Sequence, residues 1–566
     1  MTKTRVRRIW LWDFAMLAGL AMVVACLGSD RTAPAPTRKL TVPDDYGTIQ
    51  AAIDEARAGD TVFIKAGTYQ EAIVLKSGIK LLGERMEKVT LQFDESRNVI
   101  AVKGCQDASI AGLTARHVTT THGNDENAVV LIDNSTVVLE HCRVTDSAGP
   151  GFTLTNKSNA TLTSCRIRDN GARGIEVRND SNAVIQACEV VRNKMLGIVL
   201  IGKGTTATVR SCRIAGAKYA GLGFWLGASG TAQENDIEDN EVGIDVRDLC
   251  QDVVLMKNHC HRNRQDGIQI CMAAKVRTEE NVCERNGRRG ITAYDCQTHV
   301  VLERNRCLQN GAEGICVYGQ AEGVLAHNEC DENKSDGIYL CATAGEVSLT
   351  ANNCRDNGRG GITVYNTAGG AVTGNLCQSN TRAGIYIRKT AGVVTVSKNH
   401  CLENHEDGLG CASEAQVTAS NNVCDQNRAA GIVFSRGARG LAEANTCASN
   451  RYPGIAIQDP NTLVTVRGNT CSGNNPSGIL FLNVSGGAAE GNICRNNLWS
   501  GIAVRGEGAK PALTANQCDQ NGAWGIISWG GAYPNVATDN QTHDNWKGGV
   551  EHRPLDFPET ALARGI

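Results

Sequence analysis

Five tyrosines fall within one stretch of this 566-residue chain at a spacing that sets them side by side. Tyr294, Tyr318 and Tyr365 stand four residues after a recurring glycine, and Tyr339 and Tyr386 stand two after it, in five consecutive repeats. Half of the chain's ten tyrosines lie here, so the clustering is local rather than a general surface preference. Exposed aromatic rings offer an apolar face and a polar tip, the combination that stacks on a sugar ring. Trp225 and Trp529 take the fourth position far to either side. Charged residues border the strip: Asp295 follows Tyr294, Asp336 precedes Gly337, and Arg388 and Lys389 follow Tyr386. Elimination or epimerisation on a uronic-acid polymer requires a base for the C5 proton and a cation for the carboxylate. On this reading Asp295, Asp336, Arg388 and Lys389 are the candidate catalytic residues, and the five tyrosines are the candidate substrate-binding residues. A long surface with 20% charged residues also sets charges beside aromatics without a catalytic role. Residue types alone therefore leave open whether the protein is an enzyme.

The elements that position these residues come from a repeat, cleanest at Asn352 to Ile362 (NNCRDNGRGGI). Its glycine recurs about every 23 residues from Gly174 to Gly525, and Gly151 and Gly549 keep the step. Coils of 22 to 24 residues are too short for a βαβ unit and carry no helical period. Three short strands and three bends per coil are expected, in a solenoid of about 17 coils. The residues one and three after the glycine point inward, as do pairs on a second strand such as Val347/Leu349 and Val394/Val396. A third strand is centred on the residue seven before the glycine. That slot is Cys in twelve coils from Cys260 to Cys518 and Ile167, Val190 or Ile214 earlier, so these Cys are expected to be core residues rather than a disulfide framework. Asn columns four and nine residues before the glycine are expected to make corners, through tolerance of left-handed backbone and through amide ladders.

Around the repeats, Arg5, Arg7 and Arg8 with the apolar run Phe14 to Ala25 read as a signal segment over residues 1–26, ending at a lipidation candidate, Cys26. Residues 27–39 read as a flexible tether, 40–95 as an N-terminal cap with first coils, 96–552 as the repeats, and 553–566 as a tail or cap. Ile49, Ala52, Ile53 and Ala56 have helical spacing after Thr48, giving a short helix laid over the first coil. The expected location is exported, periplasmic or cell-surface, with membrane contact only through the lipid. A formal net charge of −2 with mixed signs gives no case for nucleic acid. No Cys-x-x-Cys pair occurs, and His259, His261 and His400 merely flank the inward Cys column, so no metal or cofactor is expected.

The stretch VPDDYGTIQAAIDEARAGDTVFIKAGTY, followed by these coils, resembles the pectin-lyase-like superfamily of right-handed parallel β-helices, of the carbohydrate-binding and sugar-hydrolase repeat type. The resemblance implies an all-β fold and its handedness, while the expectation of a polysaccharide partner rests on the tyrosine strip. It does not supply an active site. The Asp-Pro-His-Asp motif of alginate epimerases is missing, and neither the calcium-binding Asp cluster of pectate lyases nor the paired Asp and Arg of pectin esterases is found. The alternative function is a non-catalytic scaffold lipoprotein that binds a protein or envelope component.

Overall fold

The computed structural model describes residues 36–118, 127–484 and 486–553. The expected signal segment with Cys26, most of the tether and the residues after Arg553 lie outside the described residues. From Arg38 onward the chain winds as one parallel β-solenoid with three sheets along its length. In each coil the chain passes first through the Gly-Ile sheet (Ile362–Tyr365 is one strand), next through a Val-rich sheet (Val393–Ser397), and then through the Cys sheet (His400–Leu402). Every strand pairs in parallel with its counterpart one coil away, as Ile362 to Tyr365 pairs with Ile385 to Arg388. The Val-rich sheet has 22 strands, so the coil number is about 22 rather than 17. The difference lies at the amino-terminal end, where coils built on Lys39–Val42, Thr61–Ile64, Lys80–Gly83 and Ala108–Ala111 stack in the same sheet without the landmark glycine. At about 4.8 Å per coil the rod is roughly 100 Å long.

The alternation expected from period two is observed. Ile362 and Val364, Val394 and Val396, and all twelve Cys from Cys260 to Cys518 are fully buried in one continuous core. Successive Cys face each other across the strands, Cys354 against Cys377 and Cys377 against Cys401, as free thiols. Burial pushes the thiols of Cys283, Cys330 and Cys447 well above their usual range, which keeps them protonated and unreactive. The landmark glycine is a close approach rather than a turn. A Cβ at Gly361 would lie 2.6 Å from the Gly384 carbonyl oxygen of the next coil.

Asn ladders run along two corners, but not for both expected reasons. The left-handed residues are those just before each Asn, such as Ala351 and Asp356, and the ladder Asn residues themselves are not among them. Hydrogen bonding accounts for the Asn. Asn352 Oδ1 accepts the backbone N–H and the side-chain amide of Asn328, at 3.0 and 2.9 Å. Asn352 Nδ2 in turn donates to the Leu325 carbonyl (2.9 Å) and to Asn375 Oδ1 (3.0 Å). Each buried amide is thus satisfied on both sides, where an unsatisfied one would cost about 1–3 kcal/mol. Asn240, one place out of register in the sequence, still donates to Asn263 Oδ1, because its coil is shortened only after the corner. In the coils before Asn235 the second ladder slot is instead held by Cys142, Cys165, Cys188 and Cys212. Their thiols point to the same kind of carbonyl, Cys188 Sγ reaching Leu162 O at 3.5 Å.

The one helix among the described residues, Ile49–Glu55, starts at Thr48, whose hydroxyl accepts from Ala51 N (3.2 Å). It buries Ile49, Ala52 and Ile53 against the first strands, Lys39–Val42, Thr61–Ile64 and Ile73–Leu75.

Candidate functional site

Outward residues of the Gly-Ile sheet and of the turn just before it form a groove of about 600 Å³ over the coils from Gly337 to Gly454. The corner Asn sets the turn. Asn357, Asn380 and Asn404 are locked into the ladder, and the residues two and three after each are Arg359/Gly360, Arg382/Ala383 and Glu406/Asp407. Strand alternation then presents Tyr339, Thr363 and Tyr386 in one outward column, and Arg388, Ser435 and Gln458 in the next. Gly360 and Ala383 keep the groove open between larger side chains. Gly410 makes room for Tyr386, since a Cβ there would meet the ring at 2.6 Å.

Two carboxyls in the groove have perturbed acidity. Asp336 is buried, and Oδ1 accepts from Thr363 Oγ1 (2.8 Å) and from Gly360 N (3.1 Å). Burial pushes its pKa up against these contacts and the nearby Arg359. Asp407 accepts from Ala430 N (2.9 Å), and burial pushes it up to about 6, with Glu406 adding to the shift. Three coil steps separate the two, roughly 14 Å at about 4.8 Å per step, so they do not flank one bond.

The cations of the groove are underused by the protein. Arg388 lies over the rings of Tyr365 (4.3 Å) and Tyr386 (6.0 Å), and its buried Nε has no hydrogen-bond partner. Among the described residues neither Arg388 nor Arg382 forms an ion pair with a carboxylate. The opposite holds toward the amino terminus, outside the groove. There Arg289 pairs with Glu313 (2.8 Å) and lies over Tyr318 at 5.4 Å. Burial opposes the charge on Glu313, but Arg289 outweighs it and holds the carboxyl below its usual range.

The structure therefore divides the expected residues. Asp336, Tyr339, Tyr386 and Arg388 come together in the groove, with Tyr365 beside them under Arg388. Tyr294 and Tyr318 stack on each other at 5.2 Å outside the groove lining. Asp295 and Lys389 sit in left-handed turns after their strands, at φ 71° and 53°, and do not line it. Trp529 is buried against Trp499 rather than displayed. Sequence reasoning missed Asp407, Glu406, Arg359, Arg382, Arg436 and Asp459. The signal for Asp407 was present, since it precedes its landmark glycine as Asp336 does. Away from the groove, Asp236, His259 and His261 converge on the outer face of the Cys sheet.

A family model described as "Right handed beta helix region" matches the chain in overlapping spans, residues 98–251, 194–322, 227–353, 297–441 and 407–552. No curated protein matches the chain. Among solved structures, the Dettilon tailspike protein is 12% identical with a TM-score of 0.44, the match covering 53% of this chain and 68% of that one. A PL6 family alginate lyase is 9% identical with a TM-score of 0.34, over 90% and 99% of the two chains. The A-module of a mannuronan C-5 epimerase from Azotobacter vinelandii is 15% identical with a TM-score of 0.25, over 75% and 97%. Similarity at this level does not bear on the groove.

Proposed function

The chain belongs to the right-handed β-helix family, and on that footing we propose that its groove binds an acidic polysaccharide and removes the C5 proton of a bound uronic-acid unit. The observation that carries this reading is one groove holding both guanidiniums without a carboxylate partner, Arg382 and Arg388, and a carboxyl whose pKa is about 6, that of Asp407. Arginine's planar fork matches a carboxylate, and because none of the groove's own carboxylates pairs with Arg382 or Arg388, their outward donors are left for a ligand. Tyr339 and Tyr386 supply ring faces for the sugar. A carboxyl with a pKa near 6 is ionised at neutral pH yet still a competent base.

In the proposed step Asp407 takes the C5 proton, and the electron pair of the C–H bond passes into the substrate carboxylate, held by arginine. Collapse of that pair to form the C4–C5 double bond expels the O4 substituent and cleaves the chain. Delivery of a proton from solvent water to the opposite face of C5 instead gives the epimer, Asp407 later releasing its own proton to solvent. Both outcomes share the first transfer, so one experiment covers both. The chain is incubated with a panel of uronic-acid polymers while absorbance reports unsaturated ends and NMR reports C5 inversion. Product from wild type that falls at least about 100-fold in Asp407→Asn supports the step. Retention of a polymer without product leaves a non-catalytic binding scaffold, and neither product nor retention on any polymer rejects the reading. Export with a lipid on Cys26 belongs to the same proposal. It rests on Arg5, Arg7, Arg8 and the apolar run ending at Ala25, and Cys26→Ala is expected to move the protein from the membrane pellet to the soluble fraction.

A further inference from the structure

On the outer face of the Cys sheet, well before the groove in the chain, lies a cluster that the proposed chemistry does not use. The strand His259–His261 reads His-Cys-His, and alternation buries Cys260 while turning both imidazoles outward. The neighbouring strand Asp236–Glu238 lies in parallel register, Asp236 opposite His259 and Glu238 opposite His261. The two imidazole rings stack at 4.1 Å. Asp236 Oδ1 is 2.7 Å from His261 Nε2 and 3.7 Å from His259 Nδ1. One ligand atom from each of the three residues lies within 4.8 Å of the others.

The surroundings sort these groups into ligands and supports. Glu238 is held by Arg213 (2.6 Å) and by Arg262, which leaves its Oε2 at 3.8 Å from His261 Nε2, farther than Asp236 Oδ1. Asp236 forms no ion pair with an arginine or lysine among the described residues, Arg262 acting on it only at longer range, and its carboxylate is in contact with the two imidazoles. The other nitrogen of His259, Nε2, lies 3.3 Å from Glu284 Oε1 on the next strand. A carboxylate on the distal nitrogen orients a ligating imidazole and raises its basicity. His261 is largely covered while His259 and Asp236 are open, so an ion has a route from solvent.

We propose that His259 Nδ1, His261 Nε2 and Asp236 Oδ1 bind one borderline divalent transition-metal ion of the zinc type, with water completing the coordination. Two nitrogens and one oxygen suit zinc, whose bonds to such atoms are about 2.0–2.2 Å. Closing from the present separations takes small side-chain shifts, with the backbone held by the sheet. A single carboxylate oxygen does not serve calcium or magnesium, which take oxygen shells. The ion would tie two successive coils together across the sheet face. The expectation from sequence, that the histidines merely flank the Cys column, lacked Asp236, which only the register brings alongside.

The test titrates zinc into the chelator-treated full chain against a chromophoric competitor, with metal content read by mass spectrometry. One zinc per chain is expected, with millimolar calcium or magnesium failing to displace it. His261→Gln and Asp236→Asn are expected to weaken binding at least about 10-fold, and Glu284→Gln by a smaller factor. His400→Gln, in a different coil of the same sheet, is expected to leave binding unchanged. Circular dichroism establishes that each variant keeps the wild-type fold, as outward positions allow. Absence of stoichiometric zinc on wild type overturns the proposal, as does a His261→Gln chain that keeps its affinity within twofold, and the cluster is then an ion pair only.

Discussion

The solenoid uses cysteine in two different places along its length, at a corner in the earlier coils and in the core in the later ones. In the coils of Cys142 to Cys212 the corner slot is a thiol, and the core slot two residues on is Val144, Ile167, Val190 or Ile214. From Asn258 onward the corner is an amide and the core slot is Cys. A thiol at the corner has one weak donor for a carbonyl, whereas an amide donates to a carbonyl and links to the amides of the coils on either side. Repetition of the polar link lets the core slot shrink to a small hydrophobe. The groove lies in the amide-cornered half, on turns set by the other ladder, Asn357, Asn380 and Asn404, which also runs through Asn170 and Asn193 in the thiol-cornered coils.

The contrast can be broken most strongly at a single amide. Asn352→Ala removes four hydrogen bonds and leaves the buried Asn328 backbone N–H without its acceptor, so a loss on the order of 3 kcal/mol is expected in urea unfolding. Equal losses for Asn352→Ala and Cys188→Ala would erase the distinction between the halves.

Next in size is the burden that the groove places on its own half. The Asp407 carboxyl, near 6 when folded against an ordinary 3.8, binds more proton in the folded than in the unfolded chain between those values. Stability therefore falls as pH rises from about 4 to about 6 and stays lowered above that. Asp407→Asn is expected to stabilise the chain by on the order of 2 kcal/mol at pH 7.5 and to do nothing at pH 4, read as paired thermal melts. A pH-independent effect would mean that the carboxyl is not held out of its ordinary range. In the thiol-cornered half, Cys188→Ala is expected to cost only about 1 kcal/mol, because the bond lost is weak and the side chain small. The smallest effect is a gain. Cys212 N already donates to Asn235 Oδ1 at 3.0 Å, so Cys212→Asn extends the ladder by one coil and is expected to add about 0.5–1 kcal/mol.

Most of the fold was legible because it is periodic. Inward Ile362, Val364 and Cys354 follow from alternation and a fixed slot, and the Asn columns follow from recurrence. The coil count fell short because the first coils, such as that of Lys80–Gly83, stack through backbone pairing with no residue type marking their register. The reason assigned to the Asn corners was half right, because left-handed backbone is taken by variable residues such as Asp356 while the Asn beside it carries the hydrogen bonds. The groove was legible only in part. A strip of tyrosines stands out in composition, and Tyr386 and Arg388 lie where that strip predicts, but Asp407 and Arg382 are single residues in a turn. Their proximity to Tyr386 depends on the coil-to-coil stagger.

The file of twelve buried thiols has a use in measuring motion. A repeat solenoid opens from its ends, coil by coil, and each coil that opens between Cys260 and Cys518 releases its own column thiol to solvent. Alkylation in native buffer, read by mass after digestion, would then give an opening frequency for every step along the rod. The exposed Cys296 serves as the unprotected reference.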